Sequence, residues 1–266
     1  MDRLVPLADK DASKELLKAF RGKKVKVKTS AAAKSVEKKD DGLHVTVAAR
    51  EGDKTETIVV DKILVAIGRA PRGKGLGLEA IGVEVTDRGF IPTNDHMQTA
   101  QPHIYAIGDV ARNPLLAHKA MKEGIVAAEH ASGMPSKYDT IVPSVVYTSP
   151  ELASVGMTEE EAKEAGMEVR VGVFPLAASG RAMTLNAKGG MIKVIGEKES
   201  DVLIGFHMVG PSAGDMVSEA ALAIEMGATL EDIAMTQHAH PTIPESLMEA
   251  AEAAHGKAIH IANKKR

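Results

Sequence analysis

Between Ala12 and Phe20 the apolar residues recur three and four apart, the spacing of one helical face, and Gly22 ends the pattern. Valines then alternate with lysines, which predicts a short strand over Lys23, Val25 and Val27. The runs Gly42-Leu43-His44-Val45-Thr46-Val47 and Thr55-Glu56-Thr57-Ile58-Val59-Val60 flank the turn-forming Arg50-Glu51-Gly52-Asp53-Lys54, so a hairpin is expected there. Asp61 to Pro71 contains the unbroken apolar run Ile63-Leu64-Val65-Ala66-Ile67 before Gly68, the pattern of a strand covered on both faces. The glycine-rich stretch from Arg72 to Gly77 reads as a linker. A second apolar strand is expected over His103 to Val110, ending in Gly108 and Asp109, with a helix beyond it from Leu115 to Ser132.

From Ile141 the pattern becomes that of a compact α+β domain. Val142 to Tyr147 is a strand candidate, and Thr158 with Glu161 has the form of a capping box opening a helix that Gly166 ends. Glu168 to Phe174, Gly190 to Gly196 and Val202 to Val209 predict an antiparallel sheet. Helices are expected over Ser218 to Met226, Leu230 to Thr236, and from Pro244 to His255 before Gly256. Met216, Met226 and Met235 read as core or contact filler rather than a cofactor box. The whole is therefore α/β followed by α+β, without an internal repeat.

With 266 residues, 44% of them hydrophobic and 26% charged, the chain has room for about two domains. Net charge is −3 and the basic residues are scattered, apart from the tail Lys264-Lys265-Arg266, so no basic face points to nucleic acid or membrane. No stretch approaches the length of a membrane helix, and Met1-Asp2-Arg3-Leu4-Val5-Pro6 lacks the apolar core of a signal peptide. A cytoplasmic or organelle-matrix location fits, and the cytoplasm is the expectation. The absence of cysteine excludes structural disulfides and thiolate metal sites. The ten histidines show no HExxH spacing, and no metal is expected.

Candidate chemistry gathers in His238-Ala239-His240-Pro241-Thr242-Ile243-Pro244-Glu245. Pro244 suits the start of a helix, which places Glu245 in a first turn where unpaired amides and the helix dipole favour its ionised form. Such a carboxylate can hold one imidazole nitrogen of His240 and leave the other as a base. Pro241 and Pro244 stiffen the loop between them. The plainer reading is an exposed histidine followed by a glutamate that caps a helix. Asp109 likewise has two readings: a turn residue, or a carboxylate at the carboxyl edge of an α/β sheet, where ligands collect.

Taken in order, Val65-Ala66-Ile67-Gly68-Arg69-Ala70-Pro71, Tyr105-Ala106-Ile107-Gly108-Asp109-Val110, Leu116-Ala117-His118-Lys119-Ala120 and His238-Ala239-His240-Pro241-Thr242 with Glu245 resemble the flavin-dependent pyridine nucleotide–disulfide oxidoreductases. The resemblance runs over nearly the entire chain, and His238 ahead of His240-Pro241-Thr242 is more similar to the lipoamide branch than to the glutathione branch. It implies that residues 1–72 are the end of an NAD-binding domain, 73–140 a central FAD-contacting segment, and 141–266 an interface (dimerisation) domain. It further implies that Asp109, with Gly108, holds the flavin's ribityl or phosphate portion, that Leu116, Ala117 and His118 lie beside the flavin, and that Gly68 lies near NAD. His240 becomes the base that deprotonates dihydrolipoamide, with Glu245 orienting it. Homodimerisation through 141–266 and docking of lipoyl domains of 2-oxo acid dehydrogenase complexes are the implied partnerships.

Members of that family also carry a G-x-G-x-x-G flavin fingerprint, a C-x-x-x-x-C disulfide and a second glycine fingerprint for NAD. None occurs in this sequence, which therefore resembles the carboxyl-terminal portion of a longer enzyme lacking its amino-terminal half. The isolated chain is expected to bind FAD and NAD incompletely and to lack dehydrogenase activity. The alternatives are a non-catalytic dimerisation or binding module, or another disulfide reductase of the same family.

Overall fold

The structure is a computed structural model that describes residues 1–50 and 54–263. Its contacts divide into two compact units, Met1–Ile63 with Pro143–Arg266, and Leu64–Val142. The predicted hairpin turn includes residues 51–53 and the basic tail is residues 264–266; both lie outside the described residues.

Helix α1 covers Lys10–Gly22, opened by the Asp9 side chain, which accepts from the Asp11 amide. Its apolar stripe buries Ala12 and Leu16 against Ala8, Leu152, Met191 and Val209. The valine–lysine stretch after it is not a strand. Residues 24–28 carry no regular structure and Val25 is half exposed, because two valines alone offer too little apolar face to anchor a strand. The sheet forms later, from β1 (Ala31–Lys39), β2 (Gly42–Ala49) and β3 (Thr55–Val60), all antiparallel in that order. The expected hairpin is β2–β3, in register from Leu43 opposite Val60 to Ala48 opposite Thr55. β1 has no alternating pattern and is almost wholly exposed; it is a strand because its backbone pairs with β2.

The second unit corrects two expectations. Residues 62–73 form no strand, and Leu64, Val65 and Ile67 are exposed by 90%, 73% and 95%. A strand apolar on both faces needs neighbours on both sides, and among the described residues nothing pairs with this run. His103 to Val110 likewise makes only one bridge, Gln98 with Tyr105, before a 3-10 turn over Gly108–Val110. Asp109 therefore stands in a tight turn and not at the end of a strand. Helix α2, Ala117–Ala131, follows as expected. Val83, Ile91, Ala106 and Ala111 are the core of this unit.

In the remainder of the first unit, β4 (Ser144–Val146), β5 (Glu151–Gly156), β6 (Val169–Pro175), β7 (Met191–Glu197) and β8 (Leu203–Gly210) form an antiparallel sheet in the order β4-β5-β8-β7-β6. Around it lie α3 (Glu159–Glu164), α4 (Gly180–Thr184), α5 (Ala213–Glu225), α6 (Leu230–Met235) and α7 (Glu245–Ala254). The Thr158–Glu161 capping box opens α3 as its sequence predicts. α5 begins five residues before the apolar run that suggested it. Met216 is core, whereas Met226 and Met235 are 75% and 78% exposed.

One ionic cluster fastens the amino-terminal segment to this sheet. The Lys193 side chain on β7 is 2% exposed, and its Nζ lies 3.0 Å from Asp9, 2.8 Å from Asp11 and 2.7 Å from Glu159. Burial alone would push its pKa down; the Asp11, Glu159 and Asp9 carboxylates more than offset that and raise it. His207, opposite Lys193 on β8, stays neutral because burial lowers its pKa, and it bonds the Met157 carbonyl at 3.0 Å. No helix is long and apolar enough to cross a membrane among the described residues.

Candidate active site

The loop between α6 and α7 carries the candidate base. Its last residues, Thr242-Ile243-Pro244-Glu245, have Ser/Thr-x-x-Glu spacing, and the two ends bond reciprocally. The Thr242 amide donates to Glu245 Oε2 at 2.8 Å, and the Glu245 amide reaches the Thr242 hydroxyl at 3.4 Å. Ile243 is buried between them and pins the loop from below. The Thr242 hydroxyl also donates to the Ala239 carbonyl at 2.6 Å. The His240–Pro241 peptide bond is cis.

This scaffold brings the two predicted residues together. His240 Nδ1 lies 3.0 and 3.1 Å from the two carboxylate oxygens of Glu245. The Glu245 side chain is 13% exposed and that of His240 71%, so the carboxylate is sheltered while the imidazole is presented outward. Burial favours the neutral form of Glu245, but the Thr242 amide and the His240 ring outweigh it and hold the carboxyl below the ordinary glutamate range. An ionised Glu245 on Nδ1 selects the tautomer with its proton there, leaving Nε2 with the lone pair that can take a proton.

The sign of this contact gives a pH expectation. Because the folded value of Glu245 is depressed, its contribution is complete above the unfolded value of about 4.5 and is lost as pH falls through the lower folded value. Amide exchange at Thr242, corrected for the intrinsic pH dependence, should therefore accelerate on the acid side of about pH 4.5 as this contact is lost.

The other predicted residues belong to the second unit, whose turn is built separately. The Gly108 amide donates to Glu123 Oε2 at 2.7 Å, and the Lys119 ammonium donates to the Gly108 carbonyl at 3.2 Å and the Arg112 carbonyl at 2.6 Å. Glu123 and Lys119 pair at 3.2 Å with almost no exposure. This buried pair grips both polar groups of Gly108, whose φ of +73° suits glycine and whose Cβ position lies 3.2 Å from Ala120. Asp109 is thereby held half-exposed, 3.3 Å from the Arg69 guanidinium. Leu116 leads into α2 without a side-chain cap, and Ala117 and His118 stand exposed in its first turn. Gly68, at φ +120°, meets nothing within 4 Å of a built Cβ. Lys119, Glu123 and Arg112 were not apparent from the sequence as supports of this turn; the signal available was the charged i, i+4 pair Lys119–Glu123 in the helix that follows the Gly108-Asp109 turn.

A fifteen-residue helix whose N-cap residue Leu116 makes no side-chain cap, in the same unit as the held Asp109 carboxylate, fits a ligand with phosphate and hydroxyl groups such as part of a flavin dinucleotide. The fit is partial, since neither glycine fingerprint is in the sequence.

Residues 142–251 match the pyridine nucleotide-disulphide oxidoreductase dimerisation domain, and residues 1–124 match the pyridine nucleotide-disulphide oxidoreductase domain. A dihydrolipoyl dehydrogenase of Thermus scotoductus is 57% identical over 99% of this chain and 57% of its own length. One from Bacillus subtilis is 47% identical over 98% of this chain and 55% of its own. The crystal structure of LpdA from Mycobacterium tuberculosis superimposes with a TM-score of 0.83 at 28% identity, covering 93% of this chain and 53% of that one. The chain thus spans little more than half the length of the relatives it matches. Two matches to one family that together take in most of the sequence, on a mixed α/β fold with antiparallel sheets, place this chain in the pyridine nucleotide-disulphide oxidoreductases.

Proposed function

We propose that the chain is the carboxyl-terminal portion of a dihydrolipoyl dehydrogenase and supplies its acid–base residues. The observation that carries this is Glu245 clamped on His240 Nδ1, with the imidazole presented outward. His240 Nε2 takes the proton of a substrate thiol, and Glu245 stabilises the imidazolium that results. The thiolate can then attack a disulfide. With no cysteine in this sequence, that disulfide belongs to polypeptide outside it. Oxidation of dihydrolipoamide to lipoamide releases two electrons and two protons. Enzymes of this family use FAD and NAD, which carry those electrons onward. Asp109 and Gly108 with Leu116, Ala117 and His118 would hold part of the flavin, and Gly68 would lie towards NAD.

The division into residues 1–72, 73–140 and 141–266, a homodimer formed through the last of these, a lipoyl-domain partner and a cytoplasmic setting belong to the same reading. Alone, the chain lacks most contacts for the adenosine and pyrophosphate of FAD. The test is to mix it with FAD, alone and with a separately made amino-terminal half of a family member, and to follow flavin absorbance through gel filtration. Flavin retained by the mixture is expected, with dihydrolipoamide-dependent NAD reduction that falls at least about 100-fold in His240→Ala. Undiminished turnover by that variant would overturn the role of His240. Protein that stays colourless in both preparations would favour the second reading, a dimerising module without chemistry, for which the exposed Leu222, Met226 and Met235 are the supporting observation.

A further inference from the structure

Two residues before the base, the His238 side chain is 5% exposed and both of its ring nitrogens meet acceptors. Nδ1 lies 2.8 Å from the Thr236 carbonyl oxygen and Nε2 lies 2.9 Å from Glu219 Oε1, on α5. A neutral imidazole has one N–H, and neither a carbonyl oxygen nor a carboxylate can donate. Satisfying both contacts requires both ring protons, so the socket is built for an imidazolium. Glu219 is 42% exposed, so its carboxylate reaches solvent while it holds the ring.

We propose that His238 is a positioning residue for His240: as an imidazolium it ties the loop between α6 and α7 to α5 through Glu219, and so fixes where the base stands. The functional meaning rests on His240 being the base; the tie itself does not. From the α7 side the loop is already held by Thr242 and Glu245, and from below by Ile243. Of its early residues those contacts reach only Ala239, whose carbonyl accepts from the Thr242 hydroxyl within the loop itself, and His238 supplies the tie from the loop to α5. The Glu219 bond raises the proton affinity of His238 against the effect of burial, with the Thr236 carbonyl adding to it. Glu245 on α7 acts in the same direction, and Arg181 and Asp215 line the adjoining cavity together with Glu219 and Thr242. Since the folded value is raised, the tie is complete below the unfolded histidine value of about 6.5 and is lost as pH rises through the folded value. Acid releases the Glu245 contact and alkali releases the His238 tie, so both restraints are complete together between about pH 4.5 and 6.5.

The test uses the chain itself, with isotope-labelled histidine followed by NMR. Both ring nitrogens of His238 should be protonated below about pH 6.5, with a titration midpoint above the ordinary histidine value that Glu219→Gln lowers. In wild type, protection of the Thr242 amide should fall as pH rises through the His238 midpoint. His238→Asn and Glu219→Gln should each reduce that protection about tenfold at about pH 6, where the tie is complete, and abolish its alkaline step. The partly exposed Glu219 can be changed without disturbing the core, so its variant reads the tie even if His238→Asn fails to fold. An ordinary midpoint unmoved by Glu219→Gln, or Thr242 protection unchanged in that variant, would overturn the proposal. None of these readings needs turnover, so they stand apart from the loss expected in His240→Ala. In the flavin-loaded two-part enzyme, Glu219→Gln should lower kcat several-fold with little change in KM, as misplacement of a base requires.

Discussion

Lys193→Ala is expected to destabilise its unit by about 3–5 kcal/mol, the range for removing one partner of a buried charge cluster. Asp9 is almost fully buried beside the lysine, and the variant leaves its carboxylate in the interior with only the amides of Asp11 and Glu159 for support. It also cuts the bonds that hold the start of α1 against β7. Urea unfolding should show the loss as a lower midpoint with an unchanged slope. Lys193→Met with Asp9→Asn removes both buried charges and should recover part of the difference, because the penalty arises from the unpaired carboxylate. Equal stability of Lys193→Ala and wild type would mean that the cluster holds nothing.

Gly172→Ala should cost about 4 kcal/mol or more, an unusually large effect for one methyl group. A Cβ at Gly172 on β6 would lie 1.9 Å from the Ala250 carbonyl oxygen and 2.8 Å from the Ala254 amide nitrogen, both in the backbone of α7. No rotamer relieves such a contact; the helix must move off the sheet. α7 begins at Glu245, so the displacement would pass to the His240–Glu245 pair. Thermal unfolding reads the first effect and the Thr242 amide the second. A variant of wild-type stability would show that α7 does not rest on β6 as closely as these distances require.

The parts of this protein legible in its sequence are those whose stabilising partners are nearby in the chain. The capping box at Thr158, the hairpin from Gly42 to Val60, and Glu245 in a first helical turn all depend on residues a few positions apart. Positions separated along the chain were opaque. Glu219 reaches His238 across nineteen residues, and Lys193 meets Asp9 across 184. Nothing local marks either pairing, and a lysine in β7 among Met191, Ile192, Val194 and Ile195 gives no hint of which carboxylates surround it. The runs at Ile63 to Ile67 and His103 to Val110 were misread for the opposite reason. Their composition suits strands packed between neighbours, but composition cannot report whether neighbours are there.

The open run from Leu64 to Ile67 has a consequence for the life of the protein in a cell. Extended apolar backbone without a ladder is what chaperones and proteases recognise as unfolded chain, and here it is presented by a protein whose sheet domain is intact. Cleavage at that run should then need no unfolding of the sheet domain, and should proceed at a rate that stabilising the sheet leaves unchanged.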